Sequence, residues 1–160
     1  MQDKLMTGRT LLLLAALAIP SGHSTAAPRD WLGRPFPNLN VNFLDKAPKY
    51  SGTALLVEFW ATWCPPCRES IPHLNALHQK YRSKGLVIIG ISDEDPSAVT
   101  RFRKKTPISY SVACDPGGRF RQQFGITGIP QSFLVGKDGR IIWQGSPTQI
   151  PTDLISKALK

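Results

Sequence analysis

The sequence has 160 residues, with 20 Lys and Arg against 11 Asp and Glu, and its formal net charge is +9. A chain of this length can bury a substantial core in one domain, so it does not need its three cysteines as structural staples. The basic residues are scattered, and their densest cluster, residues 101–105, suits a solvated helix face better than a nucleic-acid site. We therefore expect no nucleic-acid partner, and only weak contact with an anionic membrane surface or an acidic partner.

The first 26 residues have the order of an export signal. Basic residues precede an apolar run at 11–19, and small residues follow up to Ala26. Nine apolar residues are well short of the ~20 that a membrane-spanning helix needs. We therefore expect cleavage after Ala26, a periplasmic location, and a domain formed by residues 27–160. An uncleaved N-terminal segment that tethers the domain is the alternative.

The first predicted elements include a strand–helix–strand unit. Residues 27–50 are rich in Pro, Gly and Asn, and residues 39–43 within them alternate like an edge strand. Residues 54–60 are apolar except for one charge, which suits a buried central strand. Apolar residues then recur at helical spacing as far as Tyr81. Residues 86–91 form a second buried strand, parallel to the first because a helix connects them.

The later elements are predicted from capping and turn signals. Asp95 is typical of an N-cap with Pro96 at the first helical position, and residues 137–139 mark a hairpin turn. The predicted elements are a helix from 95 to about 105, a strand at 110–113, a short helix at 119–124, strands at 132–135 and 140–143, and an amphipathic helix from 151. The whole order predicts an α/β fold, with a central mixed β-sheet and helices on both faces.

Two cysteines, Cys64 and Cys67, stand at the junction between the first central strand and its helix. Zinc needs four ligands, and the nearby candidates are His73 and His78 on the same helix. His73 lies about 240° round the helix from Cys67, and His78 lies roughly 16 Å along its axis. Because neither histidine can share an ion with the cysteines, we expect no metal and no other cofactor.

The position of the cysteine pair favours redox exchange. At a helix N-terminus the helix dipole and unpaired N–H groups stabilise a Cys64 thiolate, which is the species that attacks a disulfide. An inert disulfide that closes so small a loop would remove little chain entropy. We therefore predict that Cys64 and Cys67 form a redox-active disulfide.

The stretch L-V-E-F-W-A-T-W-C-P-P-C, followed by Arg68 and Pro72, resembles thioredoxin-fold proteins. Within that fold it is similar to the exported thiol–disulfide oxidoreductases of the TlpA/ResA/CcmG type, and G-I-P at 128–130 matches the second half of their pattern. The resemblance covers about residues 34–159. It implies a thioredoxin-like fold with an N-terminal extension and a central insertion.

The resemblance also indicates partners. It implies protein substrates with disulfides or thiols, and a membrane thiol carrier as electron donor. Cytochrome c precursors, copper-site cysteines and misoxidised proteins all fit as substrates, so cytochrome c biogenesis is one of the processes that the resemblance allows.

Residue by residue, the resemblance assigns a substrate-docking edge. Pro130 matches the cis-proline of a loop that faces the active site. That loop turns the backbone of Ile129 toward Cys64, where it can pair with a substrate peptide as an added strand. The expected substrate-binding residues are Trp63, Pro65, Pro66, Ile129 and Pro130.

Glu58 matches the buried acid of thioredoxin and disulfide-isomerase domains. A carboxyl group inside an apolar strand has a raised pKa, and it can exchange a proton with Cys67 through water. We therefore place Glu58 with Cys64 and Cys67 as a catalytic residue. The alternative is a side chain that turns to a solvated edge. The exported branch often has a neutral residue at this position and an acid where this chain has Ser70.

The prolines between the cysteines indicate a direction for the reaction. Pro65 and Pro66 have no N–H with which to stabilise the thiolate, so we expect a moderate to low reduction potential and a reductase. A disulfide oxidase or isomerase of the same fold, and a non-catalytic thioredoxin-fold binding module, remain as alternatives. The third cysteine, Cys114, matches no motif, and we expect it to be a buried small hydrophobe.

Overall fold

The computed structural model describes residues 30–160, and the predicted signal segment at residues 1–26 lies outside the described residues. The strands are β1 (Asn42–Phe43), β2 (Ala54–Trp60), β3 (Leu86–Ser92), β4 (Ser111–Cys114), β5 (Gln131–Val135) and β6 (Ile141–Gly145). The helices are α1 (Pro65–Tyr81), α2 (Pro96–Arg103), α3 (Arg119–Phe124) and α4 (Thr152–Ala158), with 3-10 turns at Arg82–Lys84 and Pro147–Gln149. The predicted succession of strands and helices is therefore confirmed.

The six strands form one mixed sheet in the order β1-β4-β3-β2-β5-β6. The strands β2, β3 and β4 are parallel neighbours, whereas β1, β5 and β6 each run antiparallel to the strand beside them. Side chains alternate between the two faces of the sheet. Buried side chains of the helices α1, α2 and α4 pack in the core on one face, and those of α3 pack in the core on the other face. The thioredoxin-like fold is thus confirmed.

Two predicted elements are shorter than expected. The edge strand is confined to Asn42–Phe43, opposite Cys114 and Ala113, while the N–H of Leu39 donates to the Tyr50 hydroxyl instead of a strand. The backbone before β1 therefore satisfies its hydrogen bonds outside the sheet. Similarly, α2 ends at Arg103 and not near residue 105, and Pro107, which disfavours helical backbone at the residue before it, follows four residues after Arg103.

Strand directions bring the predicted site to one edge of the sheet. The parallel strands β2 and β3 both end there, and β5 begins there because it runs antiparallel to β2. The cysteine pair directly follows β2, and Pro130 directly precedes β5. Within residues 30–160, helices of sufficient length and apolar character to cross a bilayer are absent.

Candidate active site

Cys64 is the N-cap of α1, and Cys67 lies in the first turn of that helix. The two residues form a disulfide, and their Cα atoms are 5.3 Å apart. The backbone N–H of Cys67 donates to Cys64 Sγ at 3.3 Å, which leaves this sulfur at the positive end of the helix dipole. The intervening Pro65 and Pro66 are exposed and have no N–H to offer.

Trp63 is a large exposed side chain directly beside the buried cysteine pair. The indole of Trp63 is 63% exposed, although Cys64 beside it is only 3% exposed and Cys67 is fully buried. A large exposed aromatic next to a reactive sulfur offers apolar area to a docking chain. The placement of Trp63 therefore fits its predicted role in substrate binding.

The loop before β5 faces the cysteine pair. The Ile129–Pro130 peptide bond is cis, and the Ile129 carbonyl oxygen is 3.7 Å from Cys64 Sγ. Both residues are half-buried, and a groove of about 340 Å³ runs beside them toward Trp31. The backbone at Ile129 thus lies next to the sulfur at which a mixed disulfide with a substrate would form, and this loop faces the cysteine pair.

Glu58 is fully buried in the middle of β2, with β3 and β5 on its two sides. Its Oε1 accepts a hydrogen bond from Ser70 Oγ at 2.7 Å, and its Oε2 accepts one from the Tyr110 hydroxyl at 3.4 Å. Burial raises the pKa of Glu58 to about 7, although the bonds from Ser70 and Tyr110 lower it. The alternative in which Glu58 turns to a solvated edge is therefore wrong, because β2 is a central strand.

Ser70 connects this carboxyl group to the cysteine pair. Its hydroxyl oxygen is 2.7 Å from the carbonyl oxygen of Cys67, and the side chain is fully buried on α1. Sequence analysis named Ser70 only as a departure from the family pattern. The signal that could have found it is its spacing: a residue three positions after Cys67 lies one helical turn further along the same side of α1.

Gly90 and Tyr110 complete the surroundings of Glu58 and were not predicted. Gly90 is the register partner of Glu58 on β3, and a Cβ there would lie 3.2 Å from the Tyr110 ring and 2.9 Å from Trp60 Nε1. The bare backbone at Gly90 therefore leaves the space that the rings of Tyr110 and Trp60 occupy. A glycine inside a strand indicates such a close approach, but the sequence does not reveal which ring makes it.

A second carboxylate, Glu94, was not predicted and holds the segment that precedes the cysteines. Glu94 accepts hydrogen bonds from the Thr62 backbone N–H at 2.7 Å, from Thr62 Oγ1 at 2.6 Å and from Ser92 Oγ at 2.9 Å. Thr62 and Glu94 each lie two residues beyond the ends of the parallel strands β2 and β3. Glu94 thus ties the loop before Trp63 to the end of the neighbouring strand.

Cys114 lies apart from this site, at the end of β4. It is fully buried, as predicted, and burial raises the pKa of its thiol to about 11, with smaller contributions from Glu94 and Asp95. A thiol of this kind is protonated at neutral pH and hence a poor nucleophile. Among the described residues, 30–160, the side chains of His, Cys, Asp and Glu form no group that could hold a metal ion.

A buried cysteine pair at a helix N-terminus, opposite a cis-proline loop on a mixed sheet, defines a thioredoxin-like thiol–disulfide redox protein. The Redoxin family model matches residues 40–159. The chain is 35% identical over 126 residues to the thiol-disulfide oxidoreductase ResA of Bacillus thuringiensis subsp. konkukian, a match that covers 76% of this chain and 73% of that protein. The chain belongs to the Redoxin family, and it is a thiol–disulfide oxidoreductase of the ResA type.

Solved structures agree with this assignment. A candidate thiol:disulfide interchange protein DsbE from Chlorobium tepidum superposes with a TM-score of 0.73 at 26% identity, covering 81% of this chain and 98% of that chain. A second thiol:disulfide interchange protein of the thioredoxin family, from Chlorobium tepidum TLS, has a TM-score of 0.68 at 29% identity and covers 82% and 100%. The similarity thus spans most of the described domain.

Proposed function

We propose that this oxidoreductase reduces disulfides of protein substrates outside the cytoplasm. The observation that carries the proposal is the 3.7 Å approach of the Ile129 carbonyl oxygen to Cys64 Sγ. An extended substrate segment that hydrogen-bonds to the backbone at Ile129 would bring its own sulfur to Cys64. The exposed Trp63, Pro65 and Pro66 would border that segment on the other side.

The reaction starts from the reduced pair and moves two electrons to the substrate. The Cys64 thiolate attacks one substrate sulfur, so the substrate S–S bond breaks, a mixed disulfide forms, and the first substrate sulfur leaves as a thiolate that takes up a proton. Cys67 then loses its proton and attacks Cys64 Sγ, which releases the second substrate thiolate. The products are a reduced substrate and the Cys64–Cys67 disulfide, which a dithiol electron donor such as a membrane thiol carrier must reduce again.

Glu58 serves in this scheme as the proton acceptor for Cys67. A pKa of about 7 leaves part of the Glu58 population ionised at neutral pH, and the ionised form can accept the thiol proton, through water where the two groups are not in contact. Cys67 is fully buried too, so bulk solvent does not easily take its proton in place of Glu58. We expect Glu58→Gln to slow the release of substrate from the mixed disulfide more than its formation.

The direction of the reaction follows from how well the Cys64 thiolate is stabilised. The Cys67 N–H donates to Cys64 Sγ, whereas Pro65 and Pro66 offer no donor in between. A weakly stabilised thiolate holds its electrons loosely and favours a reductase. We expect a reduction potential nearer the about −270 mV of thioredoxin than the about −120 mV of a strong periplasmic oxidant. Equilibration with dithiol buffers measures it, and a value near −120 mV would favour the disulfide oxidase.

Trapping with Cys67→Ala tests the enzymatic mechanism against the non-catalytic binding module. Without Cys67 the mixed disulfide cannot resolve, so Cys64 should retain substrates covalently, and mass spectrometry should identify them. The matched control is Cys64→Ala, which should trap nothing and should abolish insulin reduction. A Cys64→Ala protein that preserves the biological role of the chain would instead support the binding module.

Two features support the proposed location and the weak contact with a membrane surface: the predicted export segment, and basic residues at one end of the sheet. The predicted export segment supports action in the periplasm, as a released or tethered protein. At the end of the sheet opposite Cys64, the exposed Arg82 and Lys84 follow α1, and Lys137 reaches the carbonyl of Lys160 at 3.5 Å. Arg82, Lys84 and Lys137 thus place three positive charges at this end of the sheet, and Asp138, beside Lys137, is a nearby negative charge. We therefore expect a weak contact with anionic membranes. Such a contact would leave the cysteines facing away from the membrane.

A further inference from the structure

The Ser70 hydroxyl faces two acceptors at equal distance. Its Oγ is 2.7 Å from Glu58 Oε1 and 2.7 Å from the carbonyl oxygen of Cys67. A hydroxyl group has one hydrogen and two lone pairs, so Ser70 cannot donate to both oxygens at the same time. Because Ser70 is fully buried, water cannot readily make up for a missing partner.

The charge of Glu58 decides which acceptor receives the hydrogen. When Glu58 is ionised, the Ser70 hydroxyl donates to the carboxylate, since a charge-assisted hydrogen bond is the stronger of the two. When Glu58 is protonated, the carboxylic acid can donate to Ser70 Oγ, and the serine hydrogen turns to the Cys67 carbonyl. The same heavy-atom positions therefore satisfy both protonation states of the buried acid.

We propose that Ser70 is a positioning residue for proton transfer, and that its hydroxyl reverses its hydrogen bond to Glu58 each time that carboxyl group gains or loses a proton. The inference rests on the proposed function, in which the Glu58 carboxylate takes the proton of the Cys67 thiol. In that step one proton moves from sulfur to carboxylate, and the Ser70 hydrogen turns away from Glu58. Proton transfer then requires rotation of one hydroxyl and no displacement of α1 or β2.

The other groups around Glu58 determine whether its titration can be observed separately. Tyr110, from the segment before β4, donates to Oε2 at 3.4 Å, and its own pKa is raised by burial and by the charge of Glu58. From α1 the Ser70 hydroxyl faces Glu58, and Cys67, whose carbonyl oxygen lies 2.7 Å from the same hydroxyl, has a titratable thiol only in the reduced protein. On the flanking strands the register partners Gly90 and Ser132 carry no charge. Titration of the oxidised protein thus isolates the carboxyl group of Glu58.

The test is an NMR titration of the Glu58 carboxyl carbon in the oxidised whole chain, labelled with ¹³C-glutamate. Ser70→Ala removes a donor to the charged form and a weaker acceptor for the neutral form, so the pKa of Glu58 should rise by about one pH unit. Ser70→Thr retains the hydroxyl and should restore the wild-type pKa. The matched control is Ser132→Ala, because the buried Ser132 hydroxyl has no hydrogen-bond partner among the described residues; it should leave the pKa unchanged.

An unchanged pKa in Ser70→Ala would overturn the inference, and so would a shift of the same size in Ser132→Ala. In a second measurement, the rate of insulin reduction by the reduced chain is followed against pH. In Ser70→Ala the pH dependence of this rate should shift to higher pH, by the same amount as the pKa of the Glu58 carboxyl group. If Glu58→Gln reduces insulin at the wild-type rate at every pH, the proton relay of the proposed function fails. That failure is distinct, because the effect of Ser70 is read from the carboxyl signal and not from the rate.

Discussion

Replacement of Glu58 by Gln should change how the stability of the protein depends on pH. The folded-state pKa of Glu58 is about 7, against an ordinary value of 4.5. The folded protein therefore holds a proton that the unfolded chain releases between pH 4.5 and 7, so the free energy of unfolding falls as pH rises through this window. This difference in pKa corresponds to about 3 kcal/mol in the free energy of unfolding, which the protein has below pH 4.5 and has lost once the pH exceeds 7.

Glu58→Gln removes this loss because the amide stays neutral while it can still pair with the Ser70 and Tyr110 hydroxyls. We expect the oxidised variant to match the wild type near pH 4.5, and to exceed it by about 3 kcal/mol at pH 8. Urea unfolding of both proteins between pH 4.5 and 8 measures the difference. Glu69→Gln, on the exposed side of α1, is the control and should follow the wild-type curve. A difference between Glu58→Gln and wild type that stays constant from pH 4.5 to 8 would refute the reasoning.

Three further predictions concern residues around the site. Glu94→Ala removes the acceptor of the Thr62 N–H, so urea unfolding should show a loss of about 1–3 kcal/mol, whereas Glu94→Gln keeps one carbonyl acceptor and should lose less; equal losses would contradict the proposed tie. Gly90→Ala places a methyl group 2.9 Å from Trp60 Nε1 and should cost about 1–3 kcal/mol by the same measurement, and a neutral effect would argue against close packing there. Because Cys114 is buried and its thiol pKa is raised to about 11, iodoacetamide at pH 8 should label it only in urea, and mass spectrometry of the folded, oxidised protein would expose any earlier labelling.

The sequence predicted those parts of the fold and site that depend on local patterns. Apolar runs identified β2 and β3, and the placement of Cys64 at a helix N-terminus follows from a strand that ends directly before a helix. The partners of Glu58 could not be predicted in the same way. Tyr110 lies 52 residues away along the chain, and it reaches the carboxyl group only because Gly90, on the strand between them, has no side chain. Glu94 likewise meets Thr62 only once the parallel register of β2 and β3 is known.

The hydroxyl groups around Glu58 matter because burial alone would keep this acid protonated, and a protonated carboxyl group cannot accept a proton. Desolvation raises the pKa of Glu58, and the bonds from Ser70 and Tyr110 oppose that rise. Without these donors the carboxyl group would remain protonated at neutral pH, and it could not accept the proton of Cys67. With them the pKa stays at about 7, so both protonation states are populated at neutral pH. The same balance requires that stability and proton transfer respond together: a substitution that raises the pKa of Glu58 should deprive Cys67 of its base over the same pH range in which it changes the unfolding curve.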